Sequence, residues 1–233
     1  LVRVAIHQPN YAPWCGFFAK LAAADVFVLL DDAQLPRGPS YVVRTQVLGD
    51  RGPQWLSVPV RHRGTATPGP ISAARIAEPG WAQQHLRTLR ARYARAPFFA
   101  EVYALLAPLY ETAEPELARF NERLLRALAA YLGLSPPMLR ASALGVPGSG
   151  DERLIALVRA VGGDTYLSGP SGPKYQAADK FRAAGLGLEI RTYVPIPYPQ
   201  GRSFVAGLSV LDALFRCGPA AAGLLCYREA SAQ

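Results

Sequence analysis

The 233-residue chain is short of several things, and each shortage excludes something. Its 3 cysteines, Cys15, Cys217 and Cys226, show neither CxxC nor Cys/His ligand spacing. An odd number so placed argues against a disulfide framework and a structural zinc site, and fits a reducing compartment. Lysine is scarce: Lys20, Lys174 and Lys180 are the whole supply, so arginine carries most of the positive charge behind the net +8 and the pI near 9.7. No apolar run approaches the roughly 18 uninterrupted residues that a membrane helix needs. The first strand begins without a charged leader, an apolar stretch or a small-residue cleavage site. No membrane insertion and a cytoplasmic address are expected. GxSxG, HExxH, Walker A and Rossmann glycine patterns are missing too, so no standard motif announces a reaction, a metal or a cofactor.

What the chain does have is arginine. An excess of arginine can meet nucleic acid, nucleotide phosphates or an acidic protein. The densest cluster, HLRTLRARYARAPFF at 85–99, spaces its arginines along a helix whose other side carries Trp81, Leu86, Leu89 and Tyr93. That pattern marks a solvated face more than a nucleic-acid surface. The expected partner is an anionic small molecule, such as a nucleotide sugar, or an acidic carrier protein.

Half of the residues are hydrophobic, enough for a single α/β domain spanning 1–233. Residues 3–7 read as a buried strand, 14–25 as a helix and 26–32 as a second strand, which together make a βαβ unit. The stretch 41–60 alternates about a Gly-Asp-Arg-Gly-Pro turn, as a hairpin does. Helical patterns at 80–94, 101–111 and 115–133 form an insertion around 80–133, the last with Leu117, Phe120, Leu124, Leu128 and Tyr131 on one side. The helix from Asp151, the strand DTYLSG, a helix ending near Gly185 and the strand LGLEIRTYV make a second strand–helix–strand unit. The fold class expected is α/β, with a mixed, mainly parallel sheet. In such sheets ligands gather outside the carboxyl ends of the strands.

Several polar residues fall at those ends. VAIHQPNYAPW, 4–14, finishes an apolar run with His7, Gln8, Asn10, Tyr11 and Trp14. An imidazole can act as base or acid, carboxamides can fix polar groups, and the rings can cover apolar faces. Asp31 and Asp32 end the second strand with side chains on opposite sides, so one can face a site while the other caps a turn. YLSGPSGPKY, 166–175, is a strand-to-helix loop offering Ser168, Ser171 and Lys174 as donors where Pro170 and Pro173 remove backbone ones. PIPYPQGRSF, 195–204, is a rigid loop bearing Tyr198, Gln200 and Arg202, and the helix that follows carries Ser209 as N-cap and Asp212 in its first turn.

Four ordered blocks resemble the WbqC-like protein family: HQPNYAPWCGFFAKLAAADVFVLLDDAQ (7–34), GPQWLSVPV (52–60), YLSGPSGPKY (166–175) and YPQGRSFVAGLSVLDALFRCG (198–218). The resemblance implies a bacterial protein associated with O-antigen or other polysaccharide gene clusters, or with natural-product clusters. Its polar positions carry over as His7, Gln8, Asn10, Tyr11, Trp14, Asp31, Asp32, Gln34, Ser168, Gly169, Lys174, Tyr175, Gln200, Ser209 and Asp212. Where the family tends to place an Asn-Arg pair, this chain has Val43, Arg44 and Thr45. Position 15 is usually aliphatic there, which makes Cys15 a poor nucleophile.

The expected function is acyl or aminoacyl transfer to an amine. His7 deprotonates the amine, Asp32 orients His7 or the ammonium, and Lys174, Ser168 and Arg44 hold a phosphate or developing oxyanion. Two other classes stand beside it: a noncatalytic protein that binds a glycan precursor or carrier, and a nucleotidyltransferase-like activating enzyme. The topology predicts that His7, Asn10, Tyr11 and Trp14 share one cleft with Asp32 and the 168–175 loop.

Overall fold

The computed structural model describes residues 1–61, 68–77, 80–112, 114–170, 172, 176–201 and 203–227. Its elements begin with β1 (Arg3–His7), α1 (Cys15–Ala22), β2 (Val26–Leu29) and a hairpin of β3 (Arg44–Gly49) and β4 (Gly52–Ser57). Three helices follow, α2 (Trp81–Tyr93), α3 (Phe99–Glu111) and α4 (Leu117–Tyr131). The chain continues through β5 (Met138–Arg140), α5 (Ala141–Leu144), α6 (Gly150–Ala160), β6 (Thr165–Ser168), α7 (Ala178–Ala183), β7 (Gly187–Ile190) and α8 (Val210–Cys217).

The main sheet runs β5-β2-β1-β6-β7 with every pair parallel, and β3–β4 forms a separate antiparallel pair. A parallel strand is covered on both faces, so it needs apolar side chains in both directions. Val4, Ile6, Val28 and Tyr166 pack toward Ala141, Ile155, Val158 and Phe181 of α5, α6 and α7. Their neighbours Ala5, Phe27, Leu29 and Leu167 join the larger core with α1, α2, α3, α4 and α8. The apolar stripe of α4 does as its spacing predicts: Leu117, Phe120, Leu124 and Leu128 are buried there.

β5 carries no pattern that announces a strand; its three residues become one by pairing with Phe27, Val28 and Leu29 at the sheet edge. β2 ends at Leu29 rather than 32. Asp31 then accepts hydrogen bonds from the Ser142 amide (3.0 Å) and hydroxyl (2.6 Å), which fixes the start of α5.

From β1 the chain moves outward to β2 and β5, then returns to the other side of β1 for β6 and β7. Strand order reverses between β1 and β6, and connections leaving such a point in opposite directions open a crevice at the carboxyl ends. Among the described residues no helix is long and apolar enough to cross a membrane.

The segment that leaves β1 crosses the interior. Its carbonyls meet side chains from distant elements: Asn121 Nδ2 donates to Pro9 (2.8 Å), and Thr45 and Ser209 hydroxyls donate to Ala12 (2.8 and 2.6 Å). Asn121 Nδ2 also donates to the Val42 carbonyl (2.8 Å), so one carboxamide ties the segment to the hairpin approach. Asn121→Leu would leave both carbonyls unpaired in a dry interior and is expected to cost about 2 kcal/mol or more in a urea melt. A change below about 0.5 kcal/mol, the size of an ordinary surface substitution, would contradict this role.

Candidate functional site

A cavity of about 590 Å³ opens at the reversal between β1 and β6. The end of β1 contributes Ile6, His7 and Gln8; the start of α1 contributes Trp14, Phe17 and Lys20; β6 and its loop contribute Tyr166, Ser168, Gly169 and Gln176. Arg191, Tyr193 and Tyr227 close the far side, and no carboxylate is among these lining residues. Two glycines shape it. A Cβ on Gly16 would come within 2.6 Å of the Trp14 indole, so its absence lets that ring lie over the helix start. A Cβ on Gly172 would overlap Ser168 Oγ and Gln176 Oε1, which bond to each other at 2.7 Å.

His7 is half-buried and stands edge-on to Phe17, with ring centroids 4.9 Å apart. Its Nδ1 lies 3.0 Å from the Gln8 carbonyl. A carbonyl only accepts, so Nδ1 carries the proton and the neutral ring keeps Nε2 as a base, with no hydrogen-bond partner among the described residues. Burial, reinforced by the Lys20 charge, lowers its pKa to about 4.

Lys20 is only 7% exposed, and its Nζ donates to the Ile6 carbonyl at 2.9 Å. Desolvation lowers its pKa to about 8. The Tyr166 ring centroid lies 5.8 Å from Nζ. Lys20 is not among the sequence candidates, and its signal in the sequence is slight: a lone lysine amid the apolar side chains of FFAKLAAA, in a chain that has few. Arg191 is held by Glu189 and lies over Tyr227.

Of the residues singled out from sequence, His7, Gln8, Trp14, Ser168 and Gly169 line this cavity. Lys174, Ser171 and Tyr175 lie outside the described residues, as does Arg202. The others are elsewhere. Tyr11 is fully buried and hydrogen-bonded to His85 Nδ1 (2.8 Å) and Tyr110 (2.6 Å), and Asn10 is buried beside it in sequence. Asn10, Tyr11 and Asp32 stand outside the cleft expected for them with His7, Trp14 and the 168–175 loop: Asn10 and Tyr11 turn into the interior after β1, and strand order sets the end of β2 on the opposite side of β1 from β6. Asp32 instead pairs with Arg153 of α6, and Asp31 caps α5. Gln34 donates to the Pro68 carbonyl (3.4 Å), and the Arg44 guanidinium stacks on Trp55 at 3.8 Å. Asp212, with no exposed surface, accepts from Tyr93 (2.8 Å), Tyr198 (2.8 Å) and Gln200 (3.3 Å) and pairs with Arg216. The candidates Tyr198, Gln200 and Asp212 are therefore one hydrogen-bonded network built around a buried carboxylate. Cys15 is buried with its thiol pushed up to about 12, so it forms little thiolate near neutral pH.

The model of the WbqC-like protein family matches residues 8–223. The chain is also 32% identical over 230 residues to the uncharacterized protein Rv1507c of Mycobacterium tuberculosis (strain ATCC 25618 / H37Rv), covering 97% of this chain and 98% of that one. No solved structure matches.

The lowered pKa values have a consequence for stability. His7 and His85 each fall from 6.5 to about 4 and Lys20 from 10.5 to about 8, so in those windows the unfolded chain binds more protons and stability rises with pH. Denaturant melts should lose about 3 kcal/mol per histidine as pH falls from 7 to 4, and gain about 1.5 kcal/mol from Lys20 between pH 8 and 9.5. Lys20→Met should abolish the alkaline gain and stabilise the protein at pH 7 by about 2 kcal/mol, since it removes a desolvated charge that costs about 3 kcal/mol and gives up about 1 kcal/mol for the hydrogen bond to the Ile6 carbonyl. A destabilised Lys20→Met protein would contradict the assignment.

Proposed function

The chain belongs to the WbqC-like protein family, and we propose that it is a transferase moving an acyl or aminoacyl group onto an amine in polysaccharide or natural-product biosynthesis. One observation carries this reading: a neutral imidazole, protonated on Nδ1 and with Nε2 unpartnered among the described residues, in the wall of a cavity with cationic and aromatic sides. In the proposed reaction the amine nitrogen forms a bond to the acyl carbon while its proton passes to His7 Nε2. The bond from that carbon to a thiolate or phosphate breaks, and the imidazolium returns the proton to the leaving group. Orientation of His7 comes from the Gln8 carbonyl, because Asp32 is engaged by Arg153.

A lowered pKa suits this task in one respect. The ring is unprotonated at neutral pH, so no fraction of the protein is lost to the acid form. As a substrate anion enters, its charge raises the basicity of the ring where the proton must be accepted. The net charge of +8 favours encounter with such an anion or with an acidic carrier protein.

The test is amide formation followed by mass spectrometry, with acyl thioester and acyl phosphate donors and amino-sugar nucleotide or amino-acid acceptors. His7→Gln should keep the fold and lower kcat by roughly 100-fold or more, the usual worth of a general base. In the wild type the limb of the kcat/KM profile that belongs to His7 should lie near pH 4, well below the limb set by deprotonation of the acceptor amine. Unchanged turnover in His7→Gln would remove the assignment. Binding without turnover across all donors would favour a noncatalytic glycan-precursor or carrier-binding protein.

A further inference from the structure

The ammonium of Lys20 is the one charge in the described cavity wall with no opposite charge beside it. Arg191 has Glu189, and the two other titratable side chains closest in the wall, His7 and Tyr166, are neutral near pH 7. Lys20 is 7% exposed, donates to one carbonyl, and pairs with no carboxylate among the described residues. An ammonium has three N–H donors, so at least one bond remains for something that enters the cavity. Buried charges in proteins are ordinarily paired, because desolvation without a partner is costly. Here the partner is not part of the described chain.

The rest of the wall indicates the body of that partner. Trp14 and Tyr193 meet edge to face at 5.4 Å, and Tyr193 meets Tyr227 at 6.5 Å, so three linked rings form part of the cavity wall. Phe17 and Tyr166 add further ring surface. A volume near 590 Å³ accommodates a ligand of nucleotide or drug size.

We propose that Lys20 is the docking point for an oxyanion, carboxylate or phosphate, on a ligand whose planar ring packs against Trp14 and Tyr193. This rests on the cavity being the substrate site and names the class of substrate, but it does not depend on acyl transfer or on His7 as base.

Calorimetric titration at pH 7 tests it with benzoate against benzamide, adenosine monophosphate against adenosine, and inorganic phosphate alone. At least one anion should bind ten or more times tighter than its neutral counterpart, and inorganic phosphate should bind more weakly than adenosine monophosphate because it lacks the ring. A preference within the benzoate pair identifies a carboxylate site, and within the adenosine pair a phosphate site. Lys20→Met should erase the preference while its Tm stays at or above that of the wild type, which separates lost docking from lost folding. His7→Gln should keep the preference even where turnover is lost. Equal affinity for charged and neutral ligands in the wild type, or a preference that survives in Lys20→Met, would overturn the proposal.

Discussion

Residues 8–14 leave the centre of the sheet and cross the interior instead of the surface, and much of the remaining structure serves that passage. A buried peptide group must be paired inside the protein. The partners come from every part of the chain: Asn121 of α4, Thr45 of β3, Ser209 at the start of α8, the Tyr41 carbonyl for the Tyr11 amide, and the Val210 amide for the Pro13 carbonyl. Tyr11 buries its ring among Trp81, Tyr110 and Phe120 and ties its hydroxyl to His85 and Tyr110. The segment between β2 and β5 is thus more than a decoration on the sheet. It supplies the inner lining that residues 8–14 need.

The same passage explains why the cavity has the residues it has. Held at Pro9, Ala12 and Pro13, the segment delivers Trp14 to the start of α1 and leaves His7 and Gln8 facing the gap that the strand reversal opens. α1 is buried along most of its length, so Lys20 in its last turn can reach only inward, to the Ile6 carbonyl and the cavity. Structure and chemistry are coupled here. The burial that packs α1 against the sheet is also what weakens proton binding at His7 and Lys20.

The sheet was largely legible because its strands obey rules that a sequence displays: short apolar runs, a helix between them, and glycine-rich stops. β5 was not, since three residues acquire strand geometry only from their neighbour. For the site, the sequence locates polar residues near strand ends but cannot say which ends adjoin, and the position of β2 on the other side of β1 decided that Asp31 and Asp32 would serve α5 and α6. Polar residues in the first segment also have two physical uses that look alike in a sequence. His7 and Gln8 face a cavity, whereas Asn10 and Tyr11 are interior, as are Gln200, Ser209 and Asp212. Lys20 escaped notice for the opposite reason. A lysine near the end of a helix usually answers the helix dipole in solvent, and only packing reveals that this one is enclosed.

The chemistry proposed for this cavity requires His7 to be a neutral ring with its proton on Nδ1. Two-dimensional nitrogen–proton NMR of the imidazole, followed from pH 7 down to pH 4, measures both facts directly. It should give a protonated Nδ1, an unprotonated Nε2, and a titration midpoint near 4 that moves upward when an anion occupies the cavity. A ring protonated at Nε2, or one that titrates at the ordinary 6.5 without added anion, would contradict this role for His7.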